Sequence, residues 1–212
     1  MNLRSVHHHG GGLSADDMTW DELAAQGKLR PAPPRTVREE RRLTFAPDVW
    51  RKIQLFTTQC PVEISGLGMV EPDGPTGEDF LVSELFLVAQ DVTDIQTRLD
   101  QEEVSLLVTR LVDEGRDPGK LKLWWHSHAR EEVFWSGEDE ETIEHFANDW
   151  MISLETNHRM KTLCRLDHYE VRSTTWVWVQ RPAEPVTATD EEILEVRREI
   201  ADRKSTRLNS SH

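Results

Sequence analysis

Apolar residues recur at helical spacing in four segments of the chain, and capping or turn residues mark where these segments begin or end. The pattern predicts a helix from Pro47 to about Cys60, one from the capping pair Asp100 and Glu103 to Gly115, one from Glu138 to Trp150, and one starting at the capping pair Thr189 and Glu192. The last helix has a one-sided apolar face, which could pack on a sheet or on a partner protein.

Runs rich in valine, isoleucine, leucine and aromatic residues lie between these helices and predict strands. The predicted strands are Val62 to Val70, Phe80 to Ala89, Leu121 to His128, Ile152 to Thr156, Thr162 to Val171 and Thr174 to Gln180. Because helices and strands alternate along the chain, we predict an α/β layer fold.

The two ends of the chain differ in composition from its centre. Residues 1–44 are poor in apolar side chains and carry His7-His8-His9 beside three glycines, so we predict a disordered tail. Three adjacent histidines on such a tail could bind a metal, but they lack the fixed geometry of a functional site. We expect one catalytic domain over 45–180, a linker and helix over 181–203, and a non-native tail over 204–212, which resembles translated adapter sequence.

Charge and cysteine content narrow the classes of function. Lys and Arg number 25 against 39 Asp and Glu, and a net charge of −14 argues against binding to nucleic acid. Cys60 and Cys164 have no CxxC spacing, which argues against a disulfide scaffold and favours a reducing compartment. No apolar run approaches the roughly 18 residues of a spanning helix, so we expect a cytoplasmic protein without membrane contact.

Candidate chemistry is concentrated in the stretch from Trp124 to Asp139. Side chains alternate along a strand, so His126 and His128 point to the same face, about 6.6 Å apart along the chain. Two imidazoles can then bind one ion, and a catalytic zinc site requires a third protein ligand beside an open position. Asp139 is the best candidate, because Ser136 caps the following helix and Asp139 lies in its first turn, facing back toward the loop.

A glutamate upstream, then HxH, seven residues and SxxD, is a spacing that resembles the JAMM (MPN+, Mov34) zinc metalloproteases. The resemblance covers about residues 45–180 and implies a cytidine-deaminase-like MPN layer fold, with a central mixed β-sheet flanked by helices. It implies one catalytic Zn²⁺ on His126, His128 and Asp139, with Glu63 as the catalytic glutamate. Ala129 departs from the pattern, since many members have proline after the second histidine.

The resemblance also implies an activity: hydrolysis of peptide or isopeptide bonds at the C-terminus of a ubiquitin-like protein. Glu63 would accept a proton during attack on the carbonyl and return it to the leaving amine. Ser136 could donate to the developing oxyanion while it caps the helix. The implied substrate is a ubiquitin-like or sulfur-carrier protein, and components of its conjugation system are the implied partners.

Two other classes of function stay open from sequence alone. Members of the family without metal act as structural subunits, and the related RadC branch is associated with nucleic acid. The side chains of Trp124, Trp125 and Trp135 could form substrate platforms or belong to the core. The remaining histidines of the domain fit no ligand spacing and are expected at the surface or in turns: His145, His158 and His168.

Overall fold

The structure, a computed structural model, describes residues 35–37, 41–93, 96–146, 149–182 and 187–205. Apart from Arg35, all described residues belong to one compact unit, Thr36–His212. The predicted tails, including His7-His8-His9, lie outside the described residues except where noted below.

The described residues form four helices, eleven strands and a short 3-10 helix, Pro118–Lys120. The helices are α1 (Pro47–Gln59), α2 (Gln101–Asp113), α3 (Gly137–His145) and α4 (Asp190–Ser205). The strands are β1 (Arg35–Val37), β2 (Arg42–Phe45), β3 (Ile64–Asp73), β4 (Asp79–Leu87), β5 (Gln90–Thr93), β6 (Gln96–Leu99), β7 (Leu121–Ser127), β8 (Trp150–Thr156), β9 (Thr162–His168), β10 (Ser173–Trp176) and β11 (Trp178–Val179).

Nine strands build one mixed sheet in the order β1-β10-β9-β8-β7-β3-β4-β2-β11, and β5 and β6 form a separate hairpin. Strand β7 lies near the middle, antiparallel to β3 and parallel to β8. This arrangement confirms the predicted α/β fold with a central mixed sheet. No helix in the described part of the chain combines the length and apolar character needed to cross a bilayer.

The segment from β10 to β11 connects β9 and β2, which lie toward opposite ends of the strand order. Val177 N–H donates to the Cys164 carbonyl of β9, whereas Trp178 N–H donates to Arg41, which immediately precedes β2. The sheet therefore curls around one apolar cluster, to which β2, β4, β8 and β9 all contribute.

Apolar side chains fill both faces of the sheet. One cluster holds the buried residues of α1 with Val196 and Ile200 of α4, and the other holds residues of α2 and α3. Adjacent residues of β7 divide between them: Trp125 stacks on Phe56 of α1 at 5.8 Å between ring centroids, and Trp124 faces the second cluster. Both tryptophans are core residues, and α4 packs on the domain.

The structure corrects several predicted boundaries. Helix α3 ends at His145, not at Trp150, because Trp150 starts β8 and pairs with His168 of β9. Strand β9 stops at His168, since the following turn reaches positive φ at Arg172. Strand β2 begins inside the predicted tail 1–44, and α4 continues to Ser205, inside the predicted tail 204–212.

Gly66 allows β3 to lie close to both of its neighbours. A Cβ at this position would lie 2.3 Å from the carbonyl oxygen of Phe86 and 2.9 Å from Nε1 of Trp125. The first of these atoms belongs to the backbone of β4 and cannot rotate away. The absence of a side chain at Gly66 therefore permits the close packing next to β7.

We expect Gly66→Ala to lower the free energy of unfolding by about 1–3 kcal/mol, the usual cost of overpacking a core. Chemical denaturation with a fluorescence readout would measure the change. Gly137→Ala is the matched control, since a Cβ there meets no atom within 4 Å. Equal stability of the two variants would contradict the packing argument.

Candidate metal centre

The two histidines of the HxH motif lie at the C-terminal end of β7, on the face that carries Trp124. Both are buried, with 1% of His126 and 4% of His128 exposed. Ser65 of β3 and Glu155 of β8 are the register partners of His126 on either side. Glu63 directly precedes β3, whose first residue, Ile64, pairs with Ser127. The histidines are therefore flanked by chain segments on both sides.

Two imidazole nitrogens and the carboxylate of Asp139 converge at this point. Nε2 of His126 lies 3.1 Å from Nε2 of His128 and 3.1 Å from Oδ1 of Asp139, and Nε2 of His128 lies 3.5 Å from Oδ2 of Asp139. Zinc–ligand bonds of 2.0–2.1 Å in a tetrahedron separate the ligand atoms by about 3.3–3.4 Å. The spacing of these atoms is close to that of ligands around one metal ion, and it is also that of polar groups in direct contact.

Asp139 is oriented by the start of α3. Ser136 caps this helix: its Oγ accepts from Asp139 N–H at 3.1 Å, while Oδ2 of Asp139 accepts from the N–H and Oγ–H of Ser136 at 2.8 and 2.7 Å. Burial alone would raise the pKa of Asp139, but hydrogen bonds from His126, His128 and Ser136 outweigh it and hold that pKa far below its usual range. The carboxylate is thus fixed in position and ionised.

Glu155 of β8 is a second buried carboxylate at the site, and sequence analysis missed it. Its side chain is fully buried; its Oε1 accepts from the N–H of Phe134 at 2.7 Å and lies 3.1 Å from Nδ1 of His128. Nδ1 of His128 and Oε2 of Glu155 have no hydrogen-bond partner among the described residues. Burial raises the pKa of Glu155 to about 7. His126, His128 and Glu155 form a buried cluster that could hold a metal ion.

The two carboxylates approach His128 from different sides. Asp139 faces the Nε2 atoms of both imidazoles, whereas Glu155 faces Nδ1 of His128. Because the two nitrogens of an imidazole point away from each other, an ion held by Nε2 lies on the side of Asp139. The geometry thus distinguishes Asp139, on the Nε2 side of His128, from Glu155, on its Nδ1 side.

Electrostatic interactions connect Glu63 to the same site. Complete burial lowers the pKa of His126 and favours the neutral imidazole that binds metals. Burial acts in the same direction on His128, but the hydrogen bond to Asp139 and the charges of Glu155 and Glu63 outweigh it, so the pKa of His128 is raised. The half-buried Glu63 is therefore close enough to act on His128.

Aromatic side chains surround the histidines. Trp124 stacks on His126 at 4.4 Å between centroids, and Phe134 meets the His128 ring edge-on at 5.0 Å. Trp135 lies 5.9 Å from His126 and carries the Arg165 guanidinium over its own ring at 5.0 Å. Phe134 is 49% exposed. Trp124 and Trp135 thus shield the histidines, while Phe134 is available to a ligand.

Ala129 has a φ of 40°, in the left-handed region. Proline cannot adopt this conformation, since its ring holds φ near −65°. The Ala129 carbonyl accepts from the N–H of His158 at 2.7 Å, and Nε2 of His158 lies 3.0 Å from the Cys60 carbonyl oxygen. His158 is therefore a turn residue that ties the loop after the HxH motif to the turn between β8 and β9.

No protein-family model matches this chain, and no curated protein matches its sequence. Among solved structures, the solution structure of protein DSY2949 from Desulfitobacterium hafniense is similar, with a TM-score of 0.50 and 17% sequence identity. The match covers 67% of this chain and 94% of that protein. At this level of identity the likeness shows a related fold and nothing about activity.

We expect His126→Ala, His128→Ala and Asp139→Asn each to lose bound zinc, because a three-ligand site reduced to two ligands binds zinc poorly. Zinc per protein after gel filtration would be measured by atomic emission. Zinc should also raise the melting temperature of the wild type but not of these variants, since a metal that binds only the folded state stabilises it, by about 4 kcal/mol at 1,000 times Kd.

His145→Ala is the control for these variants, because His145 is exposed on α3. It should bind zinc as the wild type does. Zinc retained at wild-type affinity by all three site variants would mean that the ligands are assigned wrongly.

Proposed function

We propose that this protein is a zinc-dependent hydrolase of the JAMM type with the MPN layer fold. The observation that carries the proposal is the convergence of Nε2 of His126, Nε2 of His128 and the carboxylate of Asp139 within 3.1–3.5 Å. Two imidazoles and one carboxylate are a donor set of catalytic zinc sites. The spacing of the motif and the mixed sheet agree with the same class.

In this proposal each polar residue has a separate task. A bound zinc would supply Lewis-acid chemistry and lower the pKa of water to about 7. Glu63, whose charge acts on His128, would accept the proton of the attacking water and return it to the leaving amine. The hydroxyl proton of Ser136, which goes to Oδ2 of Asp139 in this structure, would turn from that carboxylate to the oxygen of the attacked carbonyl during the reaction.

The proposed substrate is a peptide or isopeptide bond at the C-terminus of a ubiquitin-like or sulfur-carrier protein. The resemblance of the motif to JAMM proteases supports this class. The exposed ring of Phe134, next to His128, supports a substrate segment lying across the site. Components of the modifier's conjugation system are the proposed partners.

Incubation with ubiquitin-like fusions and isopeptide conjugates, with and without chelator, tests the activity. We expect cleavage after the modifier C-terminus, with loss on chelation and recovery on addition of zinc. Mass spectrometry of the products identifies the bond that is cut. A zinc-loaded, folded protein that cleaves none of these substrates would favour the non-catalytic scaffold instead.

Glu63→Gln should retain zinc and substrate binding but reduce kcat by roughly 10²- to 10⁴-fold, the usual contribution of general acid–base catalysis. Glutamine has a similar shape and still forms hydrogen bonds, but it cannot accept a proton. KM should change little, because the interaction matters mainly in the transition state. Zinc content, melting temperature and kcat measured on one preparation separate this result from a loss of stability.

Glu144→Gln provides the control, since it removes the same charge from an exposed position on α3. A Glu63→Gln enzyme with wild-type turnover would rule out the proposed role of Glu63.

A further inference from the structure

We infer that Glu155 is a positioning residue, which holds His128 in the tautomer that binds the metal and anchors the loop that carries Phe134. The inference rests on the proposed function, since it concerns the same metal centre. Glu155 lies outside the JAMM spacing and reaches the site through the pairing of β8 with β7.

The location of Glu155 is unusual for a glutamate. The other residues of β8 are buried or half-buried on the two faces of the sheet, and the Glu155 side chain is completely inaccessible to solvent. Charged side chains are almost never fully buried unless they are paired. The two groups that face its Oε1 are Nδ1 of His128 and the N–H of Phe134. Both contacts of this buried carboxylate are therefore with residues of the candidate metal centre and its loop.

Oε1 of Glu155 lies 3.1 Å from Nδ1 of His128, the ring nitrogen on the side away from Asp139. When Nε2 of His128 binds a metal ion, the ring proton is on Nδ1, where an ionised Glu155 is placed to accept it in a hydrogen bond. Nε2 then keeps its lone pair, and Nε2 is the atom that faces His126 and Asp139. Metal-bound histidines commonly donate their other N–H to a carboxylate, which fixes the tautomer and the ring orientation.

The contact with Phe134 connects the same carboxylate to the loop between β7 and α3. Phe134 N–H donates to Oε1, and the Phe134 ring lies edge-on against His128. A second bond from the end of β8 holds this loop, since Nδ2 of Asn157 donates to the Glu131 carbonyl at 2.7 Å. One carboxylate therefore couples the orientation of a metal ligand to the backbone beside the proposed substrate path.

Glu155→Gln tests this role because the amide keeps the shape of the side chain but can donate a hydrogen bond. Its NH₂ group can donate to Nδ1 of His128, which would move the ring proton to Nε2 and block the metal-binding atom. We expect zinc affinity, measured by competition with a chromophoric chelator, to fall by about 10- to 100-fold, as for other outer carboxylates of metal sites. Glu144→Gln should leave the affinity unchanged.

The tautomer of His128 is the readout that a purely structural role would not move. Long-range ¹H–¹⁵N NMR of zinc-loaded, histidine-labelled protein should show a protonated Nδ1 on His128 of the wild type, and a shift toward protonated Nε2 in Glu155→Gln. The wild-type spectrum alone is a test, should the variant not fold: His128 with a protonated Nε2 would overturn the inference. Wild-type affinity and tautomer in Glu155→Gln would also overturn it.

Two further outcomes separate this inference from its alternatives. Complete loss of zinc with Nδ1 of His128 still protonated would make Glu155 a direct ligand and overturn the positioning role. If the wild type binds no zinc, the proposed function fails, whereas a wild type that binds zinc and a Glu155→Gln variant of equal zinc affinity would overturn this inference alone.

Discussion

Four ionisable side chains lie together in one buried patch at the sheet, and their charges have to be compensated there. His126, His128, Asp139 and Glu155 are each no more than 8% exposed. Leaving a charge uncompensated in a protein interior costs several kcal/mol. Oε2 of Glu155 has no hydrogen-bond partner in the described part of the chain, and burial disfavours the charged form of both His126 and Glu155. A divalent cation would compensate the charge of both carboxylates, and this supports the proposed metal centre.

A single β-α-β unit supplies nearly the whole of this cluster. Parallel strands require a crossover connection, and α3 is the helix between β7 and β8. The loop after β7 therefore has to turn back over the end of that strand, which brings Asp139 of α3 to the histidines. The end of β8 lies alongside, which adds Glu155. The general tendency of α/β sheets to bind ligands at the carboxyl ends of their strands has this same origin.

His126, His128 and Asp139 can be predicted from sequence because their positions depend on residues that are close to them in the chain. Strand alternation places His126 and His128 on one face, and the capping pattern places Asp139 behind Ser136. Glu155 depends instead on the register between β7 and β8, which no local pattern specifies. A signal was nevertheless available, because a glutamate inside a strand that is mostly apolar is seldom buried without a partner. The overlong prediction for α3 has a similar cause: Trp150 fits an apolar helical face, and its pairing with His168 is non-local.

The SxxD part of the motif is a helix cap, and in the proposed function it also supplies a metal ligand; the structure indicates how both are possible. In a capping box the third residue of the helix bonds back to the N-cap residue, and here that residue is Asp139. Its Oδ2 accepts both bonds from Ser136, while Oδ1 faces Nε2 of His126. A shorter or longer spacing would separate the cap from the carboxylate, and Asp139 would lose the bonds that orient it. The spacing therefore follows from the geometry of the helix N-terminus, which orients the carboxylate before any ion binds.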